Sequence, residues 1–365
     1  MKVVEEGNEM KFVQTEELKE GMRLAYPVYN HQGVLLFEQD SKLTRQSINS
    51  ITNFKLLGVY VLEPAEPAPP LTMEDIEFER FQAEYVYRLK EEMEAIVSAE
   101  KTGKLQNIVA VLQKTYGRKS GKIQFMQSLR SKEDYIYKHS MNVAILTTLM
   151  AYRMKLKIDE CELAITSALV HDIGKVMGAE SEREERDEFG KMQYEFYREK
   201  AGHEFLDKVF ASKPSIRRIC NHALLLKQGL LEGKEIPKKV TMGGKILMVA
   251  DYYDTMTAMR LDREPQSEIS TIKQMIERPD IFDEQVMQAL LASIHIVYAG
   301  ISVELNTGAK ALVIHENPTD ILRPTVLLFK DNSIMDLSLR DNSDITIVDI
   351  VKTINEQYVL KDIQL

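Results

Sequence analysis

The chain has 365 residues, 44% of them hydrophobic, with 47 basic residues against 56 acidic ones and a formal net charge of −9. That content is ample for a core domain with smaller appendages, while the acidic balance argues against a DNA-binding or anionic-membrane surface, which would need basic patches. Two cysteines, Cys161 and Cys220, are too few for a disulfide framework, and an acidic N-terminus without an apolar leader, with no run near ~18 apolar residues, predicts a cytoplasmic chain with no membrane span.

Residues 1–63 are expected to form a small α+β N-terminal domain. Met22–Phe37 reads as two short strands around the turn His31-Gln32-Gly33. Thr44 can cap a helix whose stripe includes Ile48, Ile51 and Phe54, and Gly58 leads into a strand over Val59–Leu62. Proline-rich residues 64–71 form a stiff linker that cannot bury itself. Connecting helices follow over 72–114. Thr72 and Asp75 resemble a capping box, opening a long helix, 73–100, with Phe78, Phe81, Tyr85, Leu89, Met93 and Ile96 every three or four residues. That stripe packs either on the next domain or on a second copy, as a homodimer.

From 115 to 300 the pattern is helical, interrupted by a charged stretch, 180–191, expected to be solvated. Residues 301–365 form a short β-rich extension. Its pieces are Ile301–Leu305, Ala311–His315, Pro324–Phe329 and Ile345–Val348, with Ile350–Tyr358 as a final short helix. The fold class is mainly α, an all-helical domain between two small appendages.

Ser167–Lys175 reads as a buried helix carrying His171, Asp172 and Lys175 within five residues. Ionisable groups on an apolar helix cost desolvation energy unless a partner or metal compensates them. Adjacent residues diverge by ~100° around a helix, so His171 and Asp172 share a ligand only if it lodges between their directions. Two other helical patterns are interrupted in the same way: His139 precedes a face of Val143, Leu146 and Met150, and Asp251 ends the run Ile246–Ala250. Each alone would read as a core polar residue satisfied by hydrogen bonds. Together they predict a metal site of two imidazoles and two carboxylates, suited to Mn, Fe, Co, Ni, Zn or Mg. Such an ion can activate water as a Lewis acid, and Lys175, one turn past His171, can balance phosphate charge. Hydrolysis of a phosphoester or phosphodiester fits, with Asp172 and Lys175 as the catalytic residues.

His139, His171-Asp172 and Asp251 resemble the H…HD…D pattern of the HD phosphohydrolase superfamily. The flanking runs Asp134-Tyr135…His139-Ser140…Val143-Ala144, Ala168–Lys175, Ile246–Asp254 and Phe282-Asp283 are more specifically similar to the HD-GYP subfamily of bacterial cyclic di-GMP phosphodiesterases. The resemblance covers about 115–335. It implies an HD-type helical domain over 115–300, a divalent metal, a cyclic dinucleotide or other phosphoester as substrate, and a place in signalling with a protein partner.

The chain departs from that pattern. The HHExxDGxGYP loop is replaced by Asn221–Leu230, where only His222 survives of the paired histidines. Its spacing makes it a fifth candidate metal ligand. Arg198 stands where an HPxxG histidine would, and pointing inward it would bind substrate phosphate. His203, five residues on, faces elsewhere at ~140° around the helix and reads as a surface or half-buried residue. These losses predict a one-metal centre. Two readings stay open, a metal-dependent phosphodiesterase and a catalytically impaired relative acting as a cyclic dinucleotide receptor or protein-interaction module.

Overall fold

The computed structural model describes residues 9–29, 35–39, 41–63, 73–125, 127, 130–131, 133–178, 188–258 and 265–350. Several expected features lie outside them: the His31-Gln32-Gly33 turn, the 64–71 linker with Thr72, most of the charged 180–191 stretch, and the final helix beyond Ile350.

The N-terminal part is α+β. It comprises β1 (Glu9–Gln14), β2 (Arg23–Leu24), β3 (Val28–Tyr29), β4 (Leu35–Phe37), α1 (Arg45–Asn53) and β5 (Gly58–Glu63). β5 pairs antiparallel with both β1 and β2, and β3 pairs with β4. Strand β1 was not expected, because its partner lies some forty residues on and its own short run carries no turn signal. Thr44 caps α1 as predicted, its Oγ1 accepting the Ser47 N–H at 3.1 Å. Val13, Leu24, Val28, Ile51, Val59 and Val61 close a core of their own.

The larger core is helical, as composition and pattern predicted. It contains α2 (Met73–Ala99), α3 (Leu105–Tyr116), α4 (Tyr135–Arg153), α5 (Ile158–Val170), α6 (Ile173–Met177), α7 (Glu188–Val209), α8 (Ser215–Glu232), α9 (Met242–Thr257), α10 (Glu268–Ile276) and α11 (Glu284–Ser293). The stripe of α2 is spent inside the chain. Phe78, Leu89, Met93 and Ile96 are buried in the same core as α3 and α4, which is the first of the two arrangements the stripe allows, packing on the next domain. Helix α4 is buried on all sides from Tyr137 to Ala151, its polar residues His139 and Asn142 included, so these need partners inside the core. It packs on α5 and α9, and these two also touch each other. Ala164 and Ala168, both fully buried, keep the α5 side chains small there.

The C-terminal sheet has the order β10-β6-β7-β8-β9, all antiparallel, from β6 (Ser302–Leu305), β7 (Lys310–His315), β8 (Thr325–Leu328), β9 (Ile334–Asp336) and β10 (Ile347–Ile350). Val303, Leu305, Ala311, Val313, Val326 and Ile347 join the helical core. Cys161 and Cys220 are free and buried. No helix among the described residues is long and apolar enough to cross a membrane.

Candidate metal centre

The three mutually packed helices α4, α5 and α9 supply the four residues. His139 lies in the first turns of α4 and Asp251 in the middle of α9. His171 and Asp172 differ from expectation in one respect. They span the break between α5 and α6: His171 still has helical geometry at φ −58° and ψ −33°, and Asp172 leaves it at φ −95° and ψ 14°. Leaving the helical path releases the Asp172 side chain from the direction a regular helix would impose. The break is held by a close backbone crossing. A Cβ on Gly174 would fall 1.9 Å from the Arg198 carbonyl oxygen, and one on Gly202 would fall 2.5 Å from the Gly174 nitrogen. Only glycine permits α6 and α7 to meet this way.

The four side chains converge. The Nε2 atoms of His139 and His171 are 3.2 Å apart. Asp251 Oδ1 lies 3.1 Å from the first and 3.9 Å from the second. Asp172 Oδ2 is 3.6 Å from His139 Nε2, and its Oδ1 is 3.8 Å from His171 Nε2. Ligand atoms of His139, His171 and Asp172 lie within 4.8 Å of one another, an arrangement that could hold a metal ion.

The surroundings aim the imidazoles. His139 Nδ1–H donates to Asp254 Oδ2 at 2.7 Å, and His171 Nδ1–H donates to the Ala168 carbonyl at 2.8 Å. With both Nδ1 atoms committed as donors, the two Nε2 lone pairs face each other. Asp172 Oδ1 is buried and, among the described residues, has no hydrogen-bond partner. The donor set therefore fits a divalent ion.

Asp254 is itself fixed. Arg130 donates to both its oxygens at 2.7 Å, and Asn142 Nδ2 donates to Oδ1 at 2.7 Å. Arg130 and Asp254 are both fully buried. Burial opposes the Asp254 charge, but Arg130 and His139 outweigh it and hold its pKa at about 2. The main chain of Arg130 touches the N-terminal part, where the Leu57 N–H donates to the Arg130 carbonyl at 3.0 Å and Leu56 bridges to Ser131. A continuous path thus runs from β5 through Arg130 and Asp254 to His139.

Electrostatics mark a place that demands positive charge. Burial disfavours an imidazolium at His139, yet hydrogen bonds to Asp251 and Asp254 raise its pKa. At His171 burial prevails and lowers the pKa, against the pull of Asp172 and Asp251. The carboxyls of Asp172 and Asp251 are held well below the usual range despite burial, chiefly by Lys175 and Lys227 respectively. Lys175 Nζ donates to Asp172 Oδ2 at 2.7 Å and lies 3.5 Å from Glu195 and 3.6 Å from Glu199. Lys227 Nζ lies 2.8 Å from Glu199 Oε1 and 3.3 Å from Asp251 Oδ2.

Residues 136–256 match the HD domain family. They contain all four converging residues at the junction of α4, α5 and α9. The chain carries an HD domain. It is also 23% identical over 208 residues to a curated cyclic di-GMP phosphodiesterase of Pseudomonas aeruginosa, a match that takes in 55% of this chain and 49% of that protein. The chain thus spans about half the length of the curated relative it matches.

Within the HD domain, two expected site residues are occupied elsewhere. His222 Nδ1 accepts the Thr241 N–H at 3.0 Å. A neutral ring that accepts at Nδ1 carries its proton on Nε2, so neither nitrogen is left for a metal. Burial and Arg218 lower its pKa, which keeps the ring neutral. Arg198 is buried on α7, but its Nη2 donates to the carbonyls of Lys175 and Gly178 and its guanidinium lies over the Tyr194 ring. That use of the guanidinium corrects the expectation of an inward-pointing phosphate ligand; Arg198 clamps the α6 turn. His203 is not at the surface. It is buried, its Nε2–H donating to the His171 carbonyl at 3.2 Å, so it braces the His171 backbone. The residues that sequence reading did not single out are Arg130, Asn142, Glu199 and Lys227; Asp254 stood only at the end of a matching run.

Proposed function

We propose that this chain is a metal-dependent phosphohydrolase that cleaves a phosphodiester, with a cyclic dinucleotide as its substrate. The observation that carries the reading is the pair of opposed His139 and His171 Nε2 atoms, 3.2 Å apart, with Asp251 and Asp172 oxygens beside them. The match to a cyclic di-GMP phosphodiesterase supports the choice of substrate class.

His139, His171, Asp172 and Asp251 would hold the ion, which when bound supplies Lewis acidity and a water acidified toward neutrality. The chain's own residues do the rest. Asp254 and the Ala168 carbonyl fix both imidazole tautomers. Asp172 turns Oδ2 to Lys175 while Oδ1 has no hydrogen bond among the described residues, so the carboxylate is oriented by one oxygen and available by the other. Lys175 stays an ammonium because Asp172, Glu195 and Glu199 outweigh its burial. There it can stabilise negative charge on a phosphate oxygen.

Hydrolysis of cyclic di-GMP and of bis(p-nitrophenyl) phosphate, followed with and without added Mn²⁺, tests the reading. Turnover that EDTA abolishes and Mn²⁺ restores is expected. Metal-replete protein that binds the dinucleotide but hydrolyses neither diester would overturn it in favour of a receptor.

A further inference from the structure

A carboxylate can bridge two cations through its two oxygens, and Asp251, whose Oδ1 also accepts the Thr255 hydroxyl at 3.1 Å, is placed to do so. Its Oδ1 lies with the imidazole Nε2 atoms, while Lys227 Nζ lies 3.3 Å from its Oδ2. The same ammonium is 2.8 Å from Glu199 Oε1, and Lys175 Nζ is 3.6 Å from that oxygen. Glu199 therefore joins two ammoniums, each of which also holds one candidate metal ligand. The carboxylates are the deeper groups. The Asp172 and Glu199 side chains are 2% and 5% exposed, against 17% for Lys175 and 19% for Lys227. The two lysine side chains are thus less buried than the carboxylates they join.

We propose that Lys227 is the second cation of this site. Its ammonium takes the Asp251 Oδ2 and Glu199 positions that a second metal ion would need, limits the centre to one ion, and binds a phosphate oxygen of the substrate beside that ion. This rests on the metal-dependent reading above and deepens it. A tethered ammonium delivers one positive charge and three donors at fixed reach. It supplies part of the charge neutralisation that two-metal centres draw from their second ion.

The test uses the full chain, stripped of metal and titrated with Mn²⁺, followed by inorganic phosphate binding to the Mn²⁺-loaded protein. The wild type should take up one equivalent of Mn²⁺. Lys227→Gln removes the charge and leaves a polar end one atom shorter than lysine. It should admit a second, weaker equivalent and bind phosphate about tenfold or more weakly in its one-ion form, as expected for loss of a charge-assisted hydrogen bond. Lys227→Arg, which keeps the charge, should retain one equivalent and most of the phosphate affinity. Two equivalents on the wild type, or unchanged ion count and phosphate affinity in Lys227→Gln, would overturn the proposal. Neither readout needs turnover. A wild type that binds one ion but cleaves no diester would overturn the proposed reaction, while these readouts still decide the role of Lys227.

Discussion

Asp172→Asn is expected to lose bound metal almost entirely while remaining folded. The variant keeps the side-chain volume at the break between α5 and α6 but removes the charge from an oxygen pair lying 3.6 and 3.8 Å from the two imidazole nitrogens. Loss of an outer partner of a metal ligand costs ~10–100-fold in affinity, and loss of a charged ligand should cost more. Lys175 would not be stranded, since Glu195 and Glu199 remain 3.5 and 3.6 Å from its Nζ. Metal content by elemental analysis and a thermal melt of the same sample check both halves. Unchanged stoichiometry would remove Asp172 from the ligand set.

Arg130→Met should produce the largest loss of stability. It strips a fully buried carboxylate, Asp254, of the guanidinium that donates to both its oxygens at 2.7 Å. Breaking a buried ion pair from one side costs ~3–5 kcal/mol, because the remaining charge has no adequate partner. Urea unfolding of wild type and variant measures this. The effect should extend to the metal centre, since Asp254 fixes the His139 tautomer. Mn²⁺ affinity is expected to fall ~10–100-fold. Arg130→Lys should recover only part of either loss, because the shorter ammonium gives up the stacking over the Tyr135 ring and the contact with Gln127. A variant as stable as wild type, with unaltered Mn²⁺ affinity, would show that Asp254 does not depend on Arg130.

The four central residues were legible because each breaks an apolar helical face, and a histidine or aspartate there needs an explanation. Their supports carried no such signal. Arg130 sits in a segment without periodicity and meets Asp254 across 124 residues of sequence. Lys227 looks like an ordinary cation on an amphipathic helix until folding sets it against Asp251 and Glu199. His222 had suitable spacing, but spacing says nothing of tautomer, and the Thr241 N–H decides it. Likewise, nothing in the sequence around Arg198 announces that α6 and α7 meet glycine to glycine, which turns its guanidinium onto carbonyls. Fold class was readable for the same reason as the central residues, since the apolar runs Val143–Leu146, Ala168–Val170 and Ile246–Ala250 of α4, α5 and α9 must lie inside. Strand β1 was not, because its pairing depends on the distant β5, and the three residues of β9 are too few to show an alternation although its partner β8 is its neighbour in the chain.

The most direct measurement is X-ray absorption on the full chain loaded with one equivalent of Mn²⁺. The account predicts an ion with two imidazole nitrogens and otherwise oxygen neighbours, and loss of the imidazole signal in His139→Ala and His171→Ala. An ion bound through oxygen alone, or no ion retained by the wild type, would contradict it.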